Sequence, residues 1–362
     1  MTSSPNSMSH QPEIPVPLLP QNTLMFAEAA EAAEAVLRQA IRQHDARMAL
    51  AAALRRDPPR AVVTLARGSS DNAATVARYL VETHLRLLTS SAAPSVSSVY
   101  DSAPDYAGTL MLAISQSGRS PDLLSLTDTA RAAGALTVAL VNDTESPLAQ
   151  KAEIVLPLLA GPERSVAATK SYIASLASIL QIVAHWSGDA LLHAAVDRLP
   201  EELSVAATYD WSAAEPVLNN VQNLFVVGRG PGFGVAQEAA LKLKEICGLH
   251  AEAMSAAELM HGPLALPGQD FPVMAFLQPD KSESGVLKIL RGLASRGVPV
   301  IAAGAGNKAT GAIALPGLPE ANPFSAPILL IQSFYLLAER LAWARGRDPD
   351  RPPHLKKVTE TQ

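Results

Sequence analysis

Leu110-Met-Leu-Ala-Ile-Ser-Gln-Ser-Gly-Arg-Ser-Pro-Asp122 decides the fold. Its first five residues are a continuous apolar run, the pattern of a strand buried on both faces in a parallel sheet. A short polar loop follows. Pro121-Asp122 then opens a helix, since proline fits the first turn and aspartate complements the helix dipole there. The same plan recurs on either side: residues 61–65, 136–141 and 154–156 are short apolar runs, each followed by a Gly/Ser/Asn/Asp turn and an Ala/Leu-rich helical stretch. Strands alternating with helices in this way predict an α/β fold built on parallel sheets flanked by helices.

Further out, the plan is copied. Arg67-Gly68 matches Arg229-Gly230 and Gln116 matches Gln278, both 162 positions on. Gly134 matches Gly297 at a spacing of 163, and Leu156-Pro157 matches Leu315-Pro316 at 159. Four ordered matches at nearly constant spacing predict two copies of one α/β unit, over residues 48–188 and 201–345. A disordered arm (1–22) and a helical lead-in (23–47) are expected before them, and a polar tail (346–362) after. The length of 362 residues agrees with two domains of roughly 150 residues each.

Hydrophobic residues make up 48% of the chain, charged ones 17% and aromatics 4%, a globular composition with an aliphatic core. Lys and Arg number 29 against 34 Asp and Glu, a net charge of −5, and no basic block occurs, which argues against a nucleic-acid-binding face. The single cysteine, Cys247, forms neither an internal disulfide nor a cysteine-rich metal site, as in a reducing cytoplasm. Residues 1–21 lack the apolar core of a secretory signal. The longest uncharged stretch, 171–188, carries Ser, Gln, His and Trp at intervals, so a buried or amphipathic helix is expected there rather than a membrane span.

In parallel sheets, ligands bind beyond the carboxyl ends of the strands, where loops lead into helix N-termini with free N–H groups. The loop Ser115-Gln-Ser-Gly-Arg-Ser120 offers three hydroxyls, a glycine and a helix start, a cradle suited to a phosphate monoester. It lacks the lysine of a nucleotide-triphosphate loop. The alternative is a helix cap in which Ser120 satisfies backbone donors. Glycines 228, 230, 232 and 234 hint at dinucleotide binding, but Pro231 interrupts the turn and Phe233 stands where the third glycine belongs. On the next helix, Glu238, Lys242 and Glu245 fall at i, i+4 and i+7 on one face. They are either an exposed ion-pair ladder or a carboxylate base beside an ammonium, as proton abstraction next to a carbonyl requires. His250, Glu252, Glu258 and His261 do not have zinc-ligand spacing, so no metal is expected. His261, before Gly262-Pro263, would have the freedom of a proton shuttle on a turn.

Taken in order, residues 66–72 (ARGSSDN), 114–120 (ISQSGRS), 165–170 (SVAATK), 240–246 (ALKLKEI), 251–266 (AEAMSAAELMHGPLAL) and 350–357 (DRPPHLKK) carry a resemblance. The chain resembles the sugar isomerase (SIS) family, in particular the isomerase half of glucosamine-6-phosphate synthase and stand-alone glucosamine-6-phosphate deaminases. That resemblance implies two tandem SIS domains, a sugar phosphate substrate, no cofactor, a cytoplasmic location, and a homodimer with shared active sites but no nucleic-acid or membrane partner. Carried over by motif, Ser115, Gln116, Ser117 and Ser120 would bind the phosphate, and Ser70 and the backbone around Val166 the sugar. Glu245 would move a proton between C1 and C2 with Lys242 beside it. His261 would open the sugar ring from the neighbouring subunit, and Lys357 would contact the open sugar or form a Schiff base with it.

Departures accompany the resemblance. Arg67 stands where the synthase has cysteine, Arg119 replaces an acidic residue, and Lys356 occupies an alanine position. Arg119 would add a phosphate contact or point to solvent. Thr2 stands where the synthase's glutaminase nucleophile would be, and no room for that domain precedes Leu24. The expected reaction is therefore glucosamine 6-phosphate plus water to fructose 6-phosphate plus ammonia. Galactosamine or fructosamine phosphates are the close rivals as substrates, and a non-catalytic sugar-phosphate sensor is the other reading.

Overall fold

Ten strands form two five-stranded, wholly parallel sheets among the described residues, 23–304 and 311–357 of a computed structural model. The arm of residues 1–22 lies outside them. The first sheet contains β1 (Val62–Leu65), β2 (Thr89–Ser91), β3 (Leu110–Ser115), β4 (Leu136–Val141) and β5 (Ile154–Pro157), in the order β2-β1-β3-β4-β5. The second contains β6 (Asn223–Gly228), β7 (His250–Ser255), β8 (Val273–Phe276), β9 (Val300–Ala303) and β10 (Ile313–Leu315), in the order β10-β9-β8-β6-β7. Read from the opposite edge, the second order repeats the first strand for strand. All six residues of β3 are buried, as its apolar run requires, and they pair in register with β4 from Leu110 opposite Leu136 to Ser115 opposite Val141.

One hydrophobic core joins the two sheets: Val62, Ile114 and Leu140 of the first belong to the same buried cluster as Val226, Met274 and Ile301 of the second. Helix Lys170–Ser187 runs through it with every residue buried except His185 and Ser187. This explains the long uncharged stretch: the helix is covered on all sides by protein. No helix among the described residues is long and apolar enough to cross a membrane.

The lead-in expected over 23–47 holds helices Leu24–Ala30 and Ala32–Arg42 and the start of His44–Arg56, which runs nine residues past that boundary. Its start is tied to the tail, because the Asp350 carboxylate accepts the backbone N–H groups of Leu24 (2.7 Å) and Met25 (2.8 Å). The two units meet where helix Ser69–His84 packs on helix Pro231–Glu245. At Gly234 a Cβ would lie 2.6 Å from both the Asn72 carbonyl oxygen and Val76 Cγ2, so only glycine permits this approach. The loop after β8 turns inward, with Gln278 Oε1 accepting the Gly232 N–H at 3.0 Å. The glycine run that resembled a dinucleotide turn is thus occupied by packing.

Candidate functional site

A cavity of about 330 Å³ opens at the carboxyl ends of β1 and β3. Ser70, Ser115, Gln116, Ser117, Ser120, Val166, Lys242, Glu245 and Lys357 all line it. Nine of the ten residues singled out in the sequence therefore share one wall or another of a single space. The tenth, His261, lies on an exposed turn after helix Ala256–Leu259 and does not line the cavity.

The hydroxyl-rich end follows from the turn. Gly118 adopts φ +62°, and a Cβ there would fall 2.3 Å from Ser146 Oγ, so glycine is required twice over. Its N–H donates to Ser115 Oγ at 3.0 Å, which closes the loop. Ser120 sits at the N-cap of helix Pro121–Ala132, yet its hydroxyl makes no capping bond. Asp122 Oδ1 instead accepts the Leu123 N–H at 2.9 Å. The simple capping role is thus taken by another residue. Arg119, expected either in the cradle or in solvent, turns out to pair with Asp143 at 2.8 Å, away from the cavity.

The same cavity is reached by the Glu238, Lys242 and Glu245 face of helix Pro231–Glu245. It is no exposed ladder: the side chains of Glu238 and Lys242 are 0% and 1% exposed, and Lys242 and the 24% exposed Glu245 line the cavity while Glu238 lies behind them. Lys242 Nζ lies 2.5 Å from Glu245 Oε2 and 3.5 Å from Glu238 Oε1. Glu238 also accepts from Asn72 Nδ2 (2.9 Å) and from the Tyr335 hydroxyl (3.1 Å). Burial raises the Glu238 pKa, and Lys242 and Asn72 only partly offset it. Burial opposes the Lys242 ammonium, but the carboxylates of Glu238 and Glu245 more than reverse that, so Lys242 titrates above its ordinary value.

Two carboxylates that sequence reasoning missed organise the third wall. Glu163, fully buried, accepts from the backbone N–H groups of Thr169 (3.0 Å) and Ser171 (3.1 Å), from Ser171 Oγ (2.6 Å) and from Lys357 Nζ (3.0 Å). Burial would raise its pKa, yet Lys357 and these donors bring it below the usual value. Glu28 of the lead-in accepts from the N–H groups of Arg164 (2.5 Å) and Ser165 (3.1 Å), which fixes the loop carrying Val166. The only signal was proximity, since Glu163 lies three residues before Val166. His250 Nδ1 lies 3.0 Å from Asn223 Oδ1, and no group of three or more His, Cys, Asp or Glu among the described residues is arranged to hold a metal.

A hydroxyl-lined helix start and a lysine-paired carboxylate thus line one cleft. The family model for the SIS domain matches residues 58–185 and 217–308, more than half of the chain, which therefore belongs to the SIS domain family. Glutamine–fructose-6-phosphate aminotransferase (isomerizing) of Thermotoga maritima is 37% identical over 268 residues, covering 69% of this chain and 43% of that protein. The chain spans about half the length of the curated relatives it matches. Among solved structures, one provisionally assigned as a phosphosugar isomerase, from Silicibacter pomeroyi DSS-3, aligns with TM-score 0.86 at 41% identity, over 91% of this chain and 100% of that one. Glucosamine-6-phosphate deaminase of Thermotoga maritima aligns with TM-score 0.75 at 21% identity over 94% and 100%, a likeness of fold.

Proposed function

We propose that the chain is an amino sugar phosphate deaminase and isomerase, converting glucosamine 6-phosphate and water to fructose 6-phosphate and ammonia. One observation carries this reading: Glu245, paired with Lys242, opens on the same cavity as the Ser115–Ser120 loop. A sugar held through its phosphate by hydroxyls and helix N–H groups thus presents its C1–C2 end to a carboxylate.

In the open-chain aldehyde the C2 proton is acidified by the carbonyl. Glu245 removes it and returns it to C1 through a cis-enolamine, leaving a ketimine at C2. Water adds to the ketimine and ammonia departs, so one water is consumed per ammonia released. Lys357, held by Glu163, contacts the open sugar, and Ser70 with the Val166 backbone orients it. His261 opens the ring from a second copy of the chain, which makes the homodimer the working unit. The balance of nucleophiles favours release of ammonia over its capture, because free ammonium is mostly protonated near neutral pH whereas water is the bulk solvent. Cys247 is buried with its thiol pushed up to about 12, so this thiol is no ready nucleophile.

The test is a panel of hexosamine 6-phosphates, gluco, galacto and fructosamine, assayed for ammonia and for ketose phosphate together. Equimolar ammonia and fructose 6-phosphate from the gluco compound is the expected result. Ligand-induced stabilisation without either product would identify a sensor instead.

A further inference from the structure

We infer that Arg67 is the cation that reads the phosphate of the substrate, an assignment that rests on the function proposed above. Without it, the Ser115–Ser120 loop offers a dianion only neutral hydroxyls and backbone N–H groups. The loop's own arginine, Arg119, is spent on Asp143. Of the cations lining the cavity, Lys242 is clasped by Glu238 and Glu245, Lys357 is held by Glu163, and Lys356, on the exposed tail, has no carboxylate among the described residues that fixes its position. Arg67, in the loop directly after β1, lines the same cavity as Ser120 and is both exposed and anchored.

Its geometry is that of a presented group. Nε and Nη2 donate to one oxygen, Asp122 Oδ2, at 2.8 and 2.6 Å. The other oxygen of Asp122 accepts the Leu123 N–H in the first turn of helix Pro121–Ala132. The carboxylate is therefore held on both sides and buried, with a side chain 1% exposed, while the guanidinium it anchors is 50% exposed. A guanidinium is planar, so fixing its Nε–Nη2 edge fixes the whole fork. The Nη1 edge points away from Asp122 and makes no hydrogen bond or ion pair among the described residues, although the Asp71 carboxylate lies near enough to feel the guanidinium charge. Such an edge makes charge-assisted bonds to a phosphate, roughly twice as strong as neutral ones.

The test uses the full chain, with binding of inorganic phosphate followed by calorimetry between pH 5.5 and 7.5, and Tm measured alongside. The double variant Arg67→Gln/Asp122→Asn removes both charges and leaves no unpaired buried carboxylate. It is expected to bind phosphate at least about tenfold more weakly. It also loses the gain in affinity that the unaltered chain shows as phosphate takes its second charge, a change that a merely structural arginine would not produce. A double variant with unchanged Tm, unchanged affinity and the same pH gain overturns the assignment. If that variant does not fold, Arg67→Lys decides, because lysine keeps the charge but lacks the planar fork that holds Asp122 along one edge and offers the other to phosphate. A loss of at least about threefold supports the role, and unchanged affinity refutes it. An unaltered chain that binds phosphate yet deaminates no hexosamine phosphate sinks the proposed reaction and leaves Arg67 standing; one that binds no phosphate sinks both.

Discussion

Replacing Lys242 by methionine isolates the energetics of the buried charge cluster. Methionine preserves most of the aliphatic stem, so the packing loss is small and the change is chiefly the removal of an ammonium from between two carboxylates. Glu245, 24% exposed, can turn toward solvent, but Glu238, at 0%, cannot. Stripping one partner from a buried ion pair costs about 3–5 kcal/mol, and the surviving donors Asn72 and Tyr335 place this case at the lower end, about 3 kcal/mol. The deficit depends on pH with a definite sign. The Glu238 pKa is already raised above its unfolded value by burial, and losing Lys242 raises it further. A carboxyl of this kind costs stability once the pH climbs past its unfolded value, because the native state resists ionisation that the unfolded chain permits. Equilibrium urea unfolding should therefore show the full deficit near pH 8 and a much smaller one near pH 5. Adding Glu238→Gln to the variant should recover most of the loss at pH 8. A deficit below about 1 kcal/mol at pH 8, or one of equal size at both pH values, would refute the buried-pair reasoning.

Glu245→Gln keeps shape and hydrogen bonding but removes the proton acceptor; turnover should fall at least about a hundredfold while calorimetry still detects sugar-phosphate binding. Mixing that inactive chain with an inactive His261→Ala chain and allowing exchange should restore part of the activity, unless both residues serve one subunit's site. Gly118→Ala should lower Tm and weaken phosphate binding together, since its Cβ would fall 2.3 Å from Ser146 Oγ at a φ of +62°. Burial, with His193, Arg47, His44 and Arg55 around it, lowers the His185 pKa to about 4. Its contribution to stability is thus complete above about pH 6.5 and lost as the pH falls toward 4, a slope that His185→Gln should flatten in acid unfolding curves.

Strand β3 and the loop after it were legible because everything that specifies them is contiguous: an apolar run, a glycine turn and a proline at a helix start. The repeat exposed the second sheet for the same reason. Of the edge strands, β5 was read at 154–156, but β2 and β7 were not legible. β2 is Thr-Ser-Ser, and β7 begins His250-Ala-Glu252, where His250 and Glu252 lie on its exposed positions and only Ala251 and Met254 are buried. Polar residues with strand alternation were weighed as metal ligands and set aside on their spacing, and the strand they form went unread. The spacing of Lys242 and Glu245 could be read from one helix, but their burial could not, since it depends on Asn72 and Tyr335 from distant elements. Arg119 lay inside the motif and was weighed as a phosphate contact, whereas Arg67 and Asp122 come together from 55 residues apart, a contact that no local pattern announces.

The close approach at Gly234 acts as a gauge block. The cradle belongs to the first sheet and the proton acceptor to the leading helix of the second unit, so the span between them is a property of neither. One repeat length before Glu238, Lys242 and Glu245 stand Val76, Leu80 and Thr83, and one repeat length after Ser115 and Ser117 stand Leu277 and Pro279. The two copies have become holder and tool. A misplacement of about 1 Å between reacting groups can cost about a hundredfold in rate. Under the proposed reaction, a glycine outside the cavity lining therefore sets a catalytic tolerance, and drift at this seam would detune turnover well before it threatened the fold.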